Sequence, residues 1–139
     1  MGTYSDVAIA IDKETYARHA LLKKVPKVLA EEPYIEHDRD LHWYLENQKW
    51  YSRFEEVQEL EQFLCVLEDE GDIETGRTWT SPLDGKEHVH TVPRFGYLTM
   101  SEDGPIEERG DPLHFDIGPV SYVECPGRDA MLAKQEASQ

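Results

Sequence analysis

Residues 55–69 carry the strongest structural instruction in this chain. Val57, Leu60, Phe63, Leu64 and Leu67 recur at steps of three and four. At ~100° per residue that spacing gathers all five on one side of an α-helix. Glu55 and Glu59 project from the opposite side with Gln62. A helix with one apolar face must bury it against a second layer, and the neighbouring segments supply that layer as strands. Residues 4–11 (YSDVAIAI) mix β-branched and aromatic side chains, with Val7, Ile9 and Ile11 on one face. Residues 41–50 (LHWYLENQKW) form an aromatic strand whose alternation fails near Asn47, so a bulge or turn is expected there. Residues 94–101 (RFGYLTMS) form another strand.

The remaining elements follow from local signals. Asp12 is a good N-cap for a helix over residues 13–24, with Leu21 and Leu22 contributing to its apolar surface and Pro26 beyond its end. Residues 30–40 read as a loop or edge element. Residues 77–80 and 87–92 flank Ser81-Pro82-Leu83-Asp84-Gly85 and read as a hairpin. Residues 102–112 read as an acidic loop. Residues 114–117 and 120–124 read as one last strand broken at Gly118-Pro119. The expected architecture is a single α+β domain over residues 1–125. It has a mainly antiparallel sheet, two principal helices packed on one face, and a solvated tail over residues 126–139, with a short helix there as the alternative.

Charge is distributed unevenly over this frame. The formal net charge is −15, with 29 acidic against 14 basic side chains. Residues 1–30 hold three acids and five bases, Lys13, Arg18, Lys23, Lys24 and Lys27; residues 31–124 hold 24 acids and seven bases. Such a body repels nucleic acid and acidic membranes and attracts cations or basic protein surfaces. Its carboxylates fall in clusters. One contains Glu31, Glu32, Glu36, Asp38 and Asp40, a second Glu68, Asp69, Glu70, Asp72 and Glu74, a third Glu102, Asp103, Glu107, Glu108 and Asp111. Charge runs are ordinarily solvated loops. Here the later two clusters apart from Glu74, together with Glu55 and Glu59, are also the candidate partner-binding surface, because spaced carboxylates can imitate a nucleic-acid backbone.

Motifs for chemistry are sparse. Glu68-Asp69-Glu70-Gly71-Asp72 lacks the ligand order of a calcium loop. There is no nucleophile elbow, phosphate loop or dinucleotide fingerprint, so neither an enzyme activity nor a cofactor is expected. The alternative is a metal-dependent enzyme. His88 and His90 would share one face of a strand, and His114 with Asp116 repeats that spacing. His37 and His42 have no patterned partners. Trp43, Tyr44, Trp50, Tyr51 and Phe54 form an aromatic group that serves as core packing or as a binding hot spot. Cys65 sits in the helical pattern and is expected to be a buried free thiol; Cys125 has no CxxC partner. The apolar run at residues 7–11 stops at Asp12-Lys13-Glu14, so neither a signal peptide nor a membrane span is expected, and the expected location is the cytoplasm.

Taken in order, YSDVAIAI, QKWY with FEEVQELEQFL, and FGYLTMSEDGPIEERGD resemble a group of small acidic proteins encoded by tailed phages and prophages. The resemblance covers residues 4–11, 49–67 and 95–111, and residues 75–92 look like an insertion relative to it. It implies a small accessory phage protein acting in the host cytoplasm, a class rich in inhibitors of host enzymes and defence complexes. Together with the charge, this makes the expected function inhibition of a basic nucleic-acid-binding host protein, with a homodimer or a role in virion assembly as alternatives.

Overall fold

The computed structural model describes residues 4–103, 105–119 and 123–137. Strand β1 (Ser5–Asp12) leads directly into helix α1 (Lys13–Leu21). The Asp12 carboxylate accepts hydrogen bonds from the Thr15 N–H at 2.9 Å and the Thr15 hydroxyl at 2.8 Å, so the cap acts as expected. The helix stops three residues earlier than the periodicity suggests. Lys23 adopts a left-handed φ of 56°, and its N–H reaches the Ala20 carbonyl while that of Lys24 reaches the His19 carbonyl. This pair of bonds is a Schellman end with lysine in the position that usually takes glycine. Leu21 is consequently 85% exposed, and Leu22 is also exposed; the buried positions of α1 are Thr15 and His19.

A short helix α2 (Lys27–Glu31) follows, where the sequence signals pointed only to a loop, and then β2 (Ile35–His37) and β3 (Asp40–Gln48). The long helix α3 (Glu55–Glu70) buries the five apolar residues its spacing singled out. Next come β4 (Ile73–Thr80), β5 (Glu87–Val92), β6 (Phe95–Ser101) and β7 (Ile106–Gly110). A 3-10 turn (Pro112–Phe115) precedes the short pair β8 (Gly118–Pro119) and β9 (Val123–Glu124), and helix α4 covers Pro126–Ala137.

Five strands form one antiparallel sheet in the order β2-β3-β1-β6-β7. β1 is its centre. Val7, Ile9 and Ile11 face the layer of α1, α2 and α3, where they meet Trp43, Leu60, Leu64 and Leu67. The two principal helices therefore share one face, as expected. Ala8 and Ala10 face the other side, against Leu98, Phe115, Ile117, Val123 and Cys125. The small side chains let this C-terminal layer approach the sheet closely. The irregularity anticipated near Asn47 is a bulge: Ser5 pairs with Gln48 but Val7 with Leu45, and Asn47 has φ 53°.

Three expectations change. The 102–112 loop contains β7, an edge strand whose sequence IEERG shows no apolar alternation because most of its side chains are exposed. The first half of the expected last strand is not a strand, because His114 lies in the 3-10 turn, while Gly118-Pro119, the expected break, is itself β8; residues 120–122 fall outside the described residues. Residues 126–137 form a helix with its first turn seated on the sheet, where Gly127 lies against Tyr44, in place of a wholly solvated tail. β4 and β5 pair only with each other, closed by the expected turn in which the Gly85 N–H donates to the Ser81 carbonyl at 2.9 Å. No helix among the described residues is long and apolar enough to cross a membrane.

The burial expected of Cys65 is not observed. Cys65 is exposed, one residue off the buried stripe of α3, and Cys125 is buried. Burial pushes the Cys125 thiol up to about 11. A chromogenic disulfide reagent at pH 8 is therefore expected to titrate one thiol in the native chain and two in denaturant. Rapid native reaction of both would show that the C-terminal layer opens readily.

Candidate functional site

The eleven carboxylates proposed for partner binding divide sharply by what they touch. Glu70, at the end of α3, binds Arg18 and His19, the latter donating from Nε2 at 2.7 Å, and lies 3.9 Å from Arg94. Burial alone would raise its carboxyl, but the hydrogen bonds from Arg18 and His19 outweigh it and hold the group below the usual glutamate range. Glu68 receives Arg109 Nη2 at 2.9 Å and Nε at 3.0 Å. Glu59 accepts the Lys27 N–H at the start of α2. Glu102 accepts the Tyr4 N–H at 3.2 Å, and Asp111 caps the 3-10 turn through the His114 N–H. These five carboxylates hold the chain together. By contrast, Glu55, Asp69, Asp72, Glu107 and Glu108 are exposed and form no ion pair with the described residues, and the eleventh, Asp103, is exposed at the rim of a cleft it shares with Glu107.

Three of the five bases of the N-terminal segment pair within their own chain. Lys13 pairs with Glu36 at 3.0 Å, Arg18 with Glu70, and Lys27 with Glu31 at 3.7 Å.

Arg109 ties the edge strand to the helix. Besides Glu68, it reaches the Glu61 carbonyl at 3.3 Å and Cys65 Sγ at 3.1 Å. β7 and the outer face of α3 thus form one flank. At its far end a shallow cleft of about 300 Å³ is lined by Trp50, Tyr51, Thr99, Asp103 and Glu107. The acidic and aromatic groups meet there, a juxtaposition that neither pattern reveals alone. Trp50 Nε1 donates to Tyr97 Oη at 2.7 Å, and burial raises that phenol to about 12. Arg53 stacks 4.8 Å from the Tyr51 ring, showing how this surface accommodates a guanidinium. Trp43 plays no part in a docking surface: it is buried in the core and donates to the Leu29 carbonyl at 3.0 Å.

The structure does not assemble the histidine set suggested by spacing. His88 and His90 lie on the separate hairpin, where His88 stacks on Trp79 at 4.8 Å with its Nε2 3.2 Å from Asp84, and His90 Nδ1 lies 2.8 Å from Thr75 Oγ1. His114 packs on Phe115 at 4.9 Å. A different group converges instead. His37 Nε2 lies 3.3 Å from Asp38 Oδ2 and 3.4 Å from Asp116 Oδ2. His42 adjoins it, with ring centroids 5.6 Å apart. Burial pulls the His42 imidazole down to about 4 and, with the Asp12 charge next in weight, pushes the nearby Asp40 carboxyl up to about 6. The adjacency of His37 and Asp38 is visible in the sequence; the approach of Asp116, 78 positions further along by its number, is not.

No protein-family model, curated protein or solved structure matches the chain. Its function is therefore argued from these surfaces.

Proposed function

We propose that the protein acts by binding, and that its acidic flank occupies a Lys/Arg-lined groove of a nucleic-acid-binding protein and keeps nucleic acid out. The observation that carries this reading is the segregation of charge. Lys13, Arg18, Arg94 and Arg109 are engaged by carboxylates of the same chain, while Asp69, Asp72, Glu107 and Glu108 remain exposed along α3's end and β7. Duplex DNA carries one phosphate charge per ~1.7 Å of its axis, and proteins that grip it neutralise part of that charge with lysines and arginines; clustered carboxylates on a firm flank compete for the same cations. The Trp50–Tyr51 cleft beside Glu107 adds an aromatic seat for an arginine or lysine of the partner. The resemblance to acidic phage proteins adds defence nucleases and CRISPR complexes as the kind of target.

Affinity capture from nuclease-treated host lysate, eluted in salt steps, tests the reading. A nucleic-acid-binding protein is expected to elute at moderate salt, and its nucleic-acid binding should fall when the chain is added. Neutralising Glu68, Asp69 and Glu70 together would confound binding with folding, because two of the three are structural. The informative variant is Asp69→Asn/Asp72→Asn/Glu107→Gln. It should bind about tenfold more weakly, with a shallower salt dependence. Unchanged binding at every salt concentration would remove this flank as the contact.

A further inference from the structure

The His37 cluster lies apart from the acidic flank, at the turn between β2 and β3, and its local chain geometry explains how it forms. Asp38 and Arg39 both take positive φ, 50° and 70°. This is the two-residue hairpin turn whose twist matches the flanking strands. Asp116 closes the 3-10 turn in the left-handed region at φ 61°. Asp38 and Asp116 thereby reach His37 Nε2 from two separate elements, and one ligand atom from each of the three residues lies within 4.8 Å of the other two. No lysine or arginine among the described residues forms an ion pair with Asp38 or Asp116.

A protonated His37 bridging two carboxylates would account for that triad alone. It leaves His42 unexplained. His42 is 2% exposed, and neither ring nitrogen has a hydrogen-bond partner. A buried polar group without a partner forfeits its bonds to water and gains none in exchange. Its ring meets that of His37 nearly perpendicularly, at 84°, on the inner wall of the cluster. On the outer side, a cleft of about 550 Å³ is bordered by His37, Asp116, Glu124 and Asp129. Nitrogen and carboxylate donors thus stand between a buried, unpaired imidazole and a water-accessible acidic cleft.

We propose that His37, Asp38 and Asp116 bind one divalent transition-metal ion of the Zn²⁺ class, with water from the cleft completing the shell and the buried His42 ring packed behind His37. Mixed imidazole and carboxylate donors suit such ions, whereas Mg²⁺ and Ca²⁺ take oxygen ligands. The ion would tie the β2–β3 turn to the C-terminal layer and raise the stability of the native chain by mass action.

The test uses the full chain, stripped with chelator, and Zn²⁺ itself as the probe. Calorimetric titration should give one saturable site, with a matching rise in thermal midpoint. Asp116→Asn and His37→Gln should each weaken that site at least tenfold and abolish the rise. Asparagine tolerates the left-handed conformation, and both side chains are substantially exposed, so these variants are expected to fold; near-UV circular dichroism checks this. His88→Gln/His90→Gln should leave it unchanged. Absence of a saturable site, binding that survives Asp116→Asn and His37→Gln, or loss of the site in the hairpin variant would each overturn the assignment.

Discussion

Replacing Gly110 with alanine is expected to destabilise the protein by about 3 kcal/mol, the sum of a conformational and a packing cost. Gly110 ends β7 with φ +68°, and a Cβ there would collide with the backbone carbonyl oxygen of Phe95 and lie 2.9 Å from its ring. Neither obstacle can yield cheaply. The carbonyl belongs to the sheet and accepts the Asp111 N–H at 3.1 Å, and Phe95 is core. Gly76 provides the control: its φ is +80°, and a Cβ there would meet nothing within 4 Å, so Gly76→Ala should cost only about 1 kcal/mol. Denaturant unfolding of the two variants separates the contributions. Equal losses would mean that β7 can shift to accommodate the methyl group. Because Gly110 is next to Arg109, the same variant should loosen the flank and weaken partner binding in parallel.

Glu70→Gln should cost about 2 kcal/mol at neutral pH. The carboxylate is 23% exposed and serves Arg18, His19 and Arg94, the last only 15% exposed. Glutamine leaves these donors facing a neutral amide. The pH dependence identifies the cause. Glu70 titrates lower in the folded chain than in the unfolded one. Between those two values the unfolded state binds more protons, so stability rises with pH. The contribution is complete above the unfolded value, roughly 4.3, and is lost as pH falls through the folded one. The gap between parent and variant should therefore be widest above pH ~5 and close on further acidification. A gap that is constant down to pH ~3 would mean that Glu70 acts through shape alone.

Some elements of this protein are encoded within a few consecutive residues. The α3 stripe from Val57 to Leu67, the Asp12 cap, the hairpin turn at Ser81–Gly85 and the bulge by Asn47 belong to this class, and all are legible because helix, turn and strand periodicities are short-range. β7 escapes for the complementary reason. An edge strand with both faces largely exposed needs no apolar alternation, and its existence depends on pairing with β6.

The candidate sites show the same division more strongly. Composition alone established that the body is acidic and which carboxylates cluster along the chain. Only the tertiary structure decided which of them remain available: Glu70 is claimed by Arg18 from 52 residues away, and Glu68 by Arg109 from 41 residues away. It likewise exposed Cys65 where burial was expected, dispersed His88, His90 and His114, and brought Asp116 to His37 instead. Ion pairs and ligand sets form between side chains that the sheet order makes neighbours, and no periodicity in the sequence reports a neighbour of that kind.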